Sequence, residues 1–91
     1  MKHNRYFDDR VQSLGFSDAE GAATVGVIDP GEYAFGTTRP ERMTVLAGTL
    51  WYRLPGKSWL SAEGGEGFAV PAGVTFEVKA EGPVAYLCRY G

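Results

Sequence analysis

The sequence is poor in the residues that hold metals, bridge chains or cross membranes. It has one histidine, His3, and one cysteine, Cys88, in 91 residues. A single thiol forbids an internal disulfide and gives no sign of an oxidising compartment. No apolar run approaches the ~18 residues of a membrane span. The opening residues, MKHNRYFDDR, lack the apolar core of a secretion signal. Nine basic residues against eleven acidic ones leave a net charge of −2, without the clustered basic excess of a nucleic-acid binder. These absences predict a cytoplasmic protein with no nucleic-acid or membrane partner.

What is abundant is turn chemistry and aromatic mass. Thirteen glycines and five prolines punctuate the chain, and twelve Phe, Tyr and Trp residues give short strands something large to bury. After a polar lead-in over residues 1–9, period-two alternation recurs in short runs. These are Val11 to Phe16, Ala23 to Ile28, the face Tyr33, Phe35, Thr37, Met43 to Leu46, and Leu50 to Leu54. Then follow Trp59-Leu60, Phe68 to Val70, Phe76 with Val78, and Val84 to Tyr90. No stretch keeps helical periodicity for a useful length; one helical turn is allowed near Thr38–Arg42, with Pro40 in its first position. About nine evenly spaced short strands with Gly/Pro turns predict an all-β sandwich or jelly-roll barrel, one domain over residues 1–91.

One spacing is specific. Gly65-x5-Pro71-x-Gly73-x2-Phe76 resembles the second motif of the cupin family, with phenylalanine where that family carries a metal-binding histidine. Phe35-x-Thr37-x3-Glu41-x6-Gly48 resembles the first motif, keeping its glutamate and glycine and lacking both histidines. Three ligand positions are thus Phe35, Thr37 and Phe76, and Glu41 alone remains. A catalytic metal needs several imidazoles or carboxylates at matched spacing. The frame predicts a small single-domain cupin with no metal site.

Along the whole chain the sequence resembles the short bacterial pyrimidine/purine nucleoside phosphorylases, a family of one-domain cupins. The matching stretches are Tyr6-Phe7, Val11 to Phe16 with its SLGF ending, ATVGV (Ala23–Val27) and GEYAF (Gly31–Phe35). They continue with PERMTVLAG (Pro40–Gly48), FAVPA (Phe68–Ala72) and YLCRY (Tyr86–Tyr90). The resemblance implies metal-independent, cofactor-free phosphorolysis of purine and pyrimidine nucleosides, with phosphate as co-substrate and pentose 1-phosphate as product. It also implies a homodimer, as does the small core of so short a chain, which hides only about 60% of its unfolded surface.

Phosphate has no ready cradle in this sequence. GGEGF lacks a P-loop lysine and leads into a strand. Anion contacts must come from arginines, hydroxyls and backbone N–H groups. Arg89, in the matched YLCRY run, is the first candidate, beside the carboxylate Glu41. Arg39 lies next to the Glu41 motif, and Thr37 is expected to turn its hydroxyl into the pocket. Tyr33, Phe35, Phe76 and Tyr86 supply faces on which a base can stack without a hydrogen-bonding code. Cys88 lacks a histidine to activate it and reads as an inert buried thiol. A non-catalytic cupin that binds a nucleoside, sugar or phosphate ester would use the same pocket.

Overall fold

The computed structural model describes residues 1–91. Ten strands follow in order: β1 (Lys2–Tyr6), β2 (Val11–Asp18), β3 (Gly21–Ile28), β4 (Gly31–Gly36), β5 (Glu41–Ala47), β6 (Thr49–Arg53), β7 (Leu60–Glu63), β8 (Gly67–Val70), β9 (Thr75–Ala80) and β10 (Val84–Tyr90). They form two antiparallel sheets, β1-β2-β3-β10-β5-β8 and β4-β9-β6-β7. The all-β architecture expected from strand spacing is what the chain adopts. The extra strand is β1, in the segment read as a lead-in. It pairs residue by residue with β2, from Lys2 opposite Gly15 to Tyr6 opposite Val11. Its residues are polar on both faces, so no hydrophobic alternation marked it. Thr38 and Arg39 form a bend rather than a helical turn, because β5 begins at Glu41 and the Pro40 carbonyl accepts from Gly91 N–H at 2.8 Å.

The inner faces of the two sheets meet in a single cluster of fifteen buried residues. Val11, Ile28, Val45, Leu50, Val70, Phe76, Val78 and Val84 are essentially sealed from water. Each such side chain stabilises the fold by about 1.5–3 kcal/mol on burial. Alternation sets the faces: on β10, Val84, Tyr86 and Cys88 point inward, and Leu87 and Arg89 do not. On the outside of the larger sheet, Leu14, Phe16, Val25 and Val27 stay partly exposed, with Leu14 directly opposite Val25.

One glycine permits the tight turn between the sheets. Gly48 sits between β5 and β6 with φ +83°, and a Cβ there would collide with the Pro83 carbonyl oxygen. Gly48→Ala combines left-handed strain with overpacking against backbone. A loss of about 2 kcal/mol or more is expected. That corresponds to a drop of roughly 10 °C in Tm for a chain of this size. An unchanged thermal melt would contradict the packing described.

Candidate active site

A cavity of about 250 Å³ opens between the sheets, near the β1 and β4 edges. Its wall is mainly aromatic: Tyr6 and Phe7 from β1 and the loop after it, Phe35 from β4, and Tyr86 and Tyr90 from β10. Met43, Ser13, Glu41 and Cys88 are also in the lining. Phe7 holds its place with strained backbone. Phe7, Asp8 and Asp9 have φ of 54°, 55° and 66°, three successive left-handed residues without a glycine among them. Such a run is costly and persists only where its surroundings fix it. Here Arg10 N–H and its Nε both donate to the Phe7 carbonyl at 3.2 Å, and the Phe7 ring packs on Tyr33 and Phe35 at 5.0 and 5.8 Å.

Room for Tyr86 comes from Gly26, its partner across β3. A Cβ at Gly26 would lie 2.6 Å from the Tyr86 hydroxyl oxygen and 2.8 Å from the Gln12 carbonyl oxygen.

Electrostatically the cavity is quiet except at one point. Burial pushes Cys88 up to about 12, aided by the neighbouring Glu41 charge, so its thiol stays protonated. It donates to Glu41 Oε1 at 3.4 Å. Burial also raises Tyr90 to about 12 and holds Tyr86 well above the ordinary phenol range. The Tyr90 hydroxyl lies 3.2 Å from Thr24 Oγ1. Glu41 is half-buried, and loss of solvent raises its pKa from the usual 4.5, against the opposing pull of Cys88 and Arg39. The folded protein therefore binds that proton more tightly than the unfolded chain. Its contribution to stability is present below the ordinary value and is lost as pH rises through the raised one. At neutral pH the carboxylate is kept at some expense to the fold.

The family comparisons fit this geometry. A family model described as pyrimidine/purine nucleoside phosphorylase matches residues 1–90. A relative of that name from Anaeromyxobacter sp. (strain Fw109-5) is 50% identical over 99% of this chain and 87% of its own. The chain belongs to the pyrimidine/purine nucleoside phosphorylase family. Among solved structures, a Vibrio parahaemolyticus protein of unknown function superposes with a TM-score of 0.95 at 44% identity, covering 99% of this chain and 97% of that one. The cupin domain of Schizosaccharomyces pombe Cnp3 matches in fold alone, with a TM-score of 0.71 at 15% identity over 100% of this chain and 69% of its own.

Within this phosphorylase frame, the residues expected at the site divide sharply. Glu41, Phe35 and Tyr86 line the cavity together. Arg39 stands at its rim, its guanidinium 5.0 Å from the centre of the Tyr90 ring. The other four are placed elsewhere. Arg89 follows strand alternation onto the opposite face of the sheet, where it grips Asp18 through two bonds of 2.8 and 2.7 Å and reaches Glu20 at 3.3 Å. Thr37 turns its hydroxyl away from the pocket, donating to the Pro71 carbonyl at 2.7 Å and accepting from Val74 N–H at 3.2 Å. Phe76 is 1% exposed and lies behind Phe35 in the core. Tyr33 is buried too, donating to the Asp29 carbonyl at 2.7 Å and bracing the Phe35 ring, which lies nearly parallel at 6.4 Å.

Tyr6, Phe7, Ser13 and Tyr90 also line the cavity, although they are not among the site residues expected from sequence. Tyr6-Phe7 and the YLCRY run did stand among the matching stretches, and inward parity from Tyr86 leads to Tyr90.

Thr37 supplies a test of this division. Thr37→Val preserves shape but strips the Pro71 carbonyl and the Val74 N–H of a partner, a loss of about 1–3 kcal/mol. Tm should fall while the KM for nucleoside stays unchanged at temperatures well below melting. A folded Thr37→Val protein with a strongly raised nucleoside KM would place the hydroxyl at the ligand instead.

Proposed function

We propose that the protein is a metal-independent phosphorylase of purine and pyrimidine nucleosides, acting in the cytoplasm as a homodimer without a cofactor. The observation that carries this reading is Glu41: a lone, half-buried carboxylate in an otherwise uncharged aromatic cavity, in a chain of this family. The base stacks against Phe7, Phe35 and Tyr86. No amide or imidazole lines the cavity to read a base edge. Stacking accepts any π-face, which accounts for tolerance of both base classes.

Phosphorolysis develops positive charge at C1′ as the glycosidic bond breaks. Glu41 accepts from ribose hydroxyls and offsets that charge in a site where little water weakens the attraction. Cys88 holds Glu41 in position and is not a nucleophile, because its thiol remains protonated. Metal independence rests on the donor set: no three His, Cys, Asp or Glu side chains come together anywhere in the chain. The dimer rests on the exposed apolar row of Leu14, Phe16, Val25 and Val27, which a second copy covers. Sedimentation or light scattering at micromolar concentration should report twice the chain mass of 9.9 kDa. Monomer alone would refute it.

Purified protein with uridine or adenosine should release free base only when phosphate is added, and chelators should leave the rate intact. Glu41→Gln should lower kcat/KM by on the order of 100-fold or more, the scale for a charge contact made in the transition state. It should not lower Tm at neutral pH, since ionised Glu41 is a burden on the fold. In the parent protein the rate should decline as pH falls through the raised Glu41 value. A rate that instead declines as Glu41 ionises would make it the acid that protonates the base. Binding without turnover would favour a non-catalytic nucleoside binder.

A further inference from the structure

Beside the cavity, on the same inner face of the larger sheet, lies a second recess of about 580 Å³. The two share Tyr6 and Tyr90, so they are neighbouring compartments that meet at two phenol side chains. Their character differs. The cavity is aromatic with one carboxylate, whereas the recess presents Lys2, Asn4, Ser17, Thr24 and Arg39 and no carboxylate at all. In a chain with eleven acidic residues and a net charge of −2, that is a local inversion of charge. The nearest hairpin acids, Asp18 and Glu20, are drawn to the opposite face by Arg89.

Strand register explains how the recess forms and where it sits. Lys2 is opposite Gly15, Gly15 opposite Thr24, and Thr24 opposite Cys88, giving one row across four strands. Adjacent strands are about 4.8 Å apart, so the row leads in short steps from a cation to the thiol that touches Glu41. Gly15 is the floor. A Cβ there would meet Lys2 Cβ at 3.7 Å and Thr24 Cγ2 at 3.8 Å, which alanine satisfies and a longer side chain would overfill.

We infer that this recess is the subsite for the attacking inorganic phosphate, with Arg39 and Lys2 as its charged partners and Asn4 and Thr24 as neutral donors. The inference rests on the phosphorylase reading and adds where the second substrate enters. The base occupies the aromatic cavity, the ribose lies beside Glu41, and phosphate approaches from the recess on the far side of C1′. A phosphate oxygen bonds to C1′ as the C1′–N bond breaks, and the bonding pair leaves on the base nitrogen. The proton that dihydrogen phosphate gives up goes to that nitrogen, so pentose 1-phosphate and neutral base are the only products. Holding both reactants in line is the main contribution such a site makes.

The test is initial-rate kinetics with phosphate and uridine varied separately. Lys2→Ala with Arg39→Ala should raise the KM for phosphate on the order of tenfold or more, the equivalent of one lost charge-assisted hydrogen bond. The KM for uridine should move little. Arg39→Lys should recover part of the loss, and Gly15→Val should raise the phosphate KM by filling the floor. Thermal melting of each variant checks folding, and the paired alanine variant stands as the test should Gly15→Val fail to fold. Active parent protein with an unchanged phosphate KM in the paired variant would overturn the subsite and leave the phosphorylase reading standing. An equal rise in both KM values would assign Arg39 to the nucleoside side, against the inference. Parent protein that releases no base in phosphate would overturn the reading on which the subsite rests.

Discussion

The hydrogen-bonded junction at Thr37 is what the site depends on: its backbone bonds place the chain that follows, and its hydroxyl adds stability to the joint. Thr37 stands just past β4 and its hydroxyl bonds both the Pro71 carbonyl and the Val74 N–H, while its backbone exchanges two further bonds with the same turn, Thr37 N–H to Val74 and Gly73 N–H to Thr37, each 2.9 Å. Four hydrogen bonds through one residue lock the two cupin motifs to each other. In a metal-binding cupin frame the two motifs meet through ligands on a shared ion. Here a hydroxyl and a strand-like pair of backbone bonds hold the same junction. The chain beyond Thr37 is therefore delivered to a fixed place, and Arg39 and Glu41 start from it.

That junction frees the interior for a different chemistry. Thiol and phenols stay neutral around Glu41, so the single charge has no internal counterion that would satisfy it fully. A carboxylate left so is poor for stability and good for meeting a transient cation. The aromatic run behind it, from Phe7 through Phe35 and Phe76 to Phe68, joins the cavity wall to the core by ring contacts of 5.8 to 6.2 Å. Wall and core are one packed body, which holds the Phe35 ring in the cavity wall.

Most strands were legible because alternation and Gly/Pro turns are local signals. β1 was not, because Lys2, Asn4 and Tyr6 face a recess while His3 and Arg5 face water, and a strand polar on both sides has no period to read. Within the site, Glu41 and Phe35 could be found from motif spacing, since spacing fixes where a residue stands along a strand. Thr37 and Phe76 stood at equally good spacings. Which way a hydroxyl bonds at a strand end, and whether a ring is covered by another ring, depend on a partner far away in sequence. Arg89 teaches a separate lesson. It belongs to a matching run, but neighbours in a strand face opposite sides, and Tyr86 inside puts Cys88 and Tyr90 inside and Arg89 out.

The close approach of Gly26 to Tyr86 makes these two positions a single choice. The Tyr86 ring occupies the space where residue 26 would carry its side chain, so the depth of the cavity is set partly from the strand next door. The ring at 86 and any side chain at 26 would claim the same space, so their effects on stability will not add. A larger pocket is reached by shrinking 86. A tighter one is closed to growth at 26, because there the Gln12 backbone stands in the way as well.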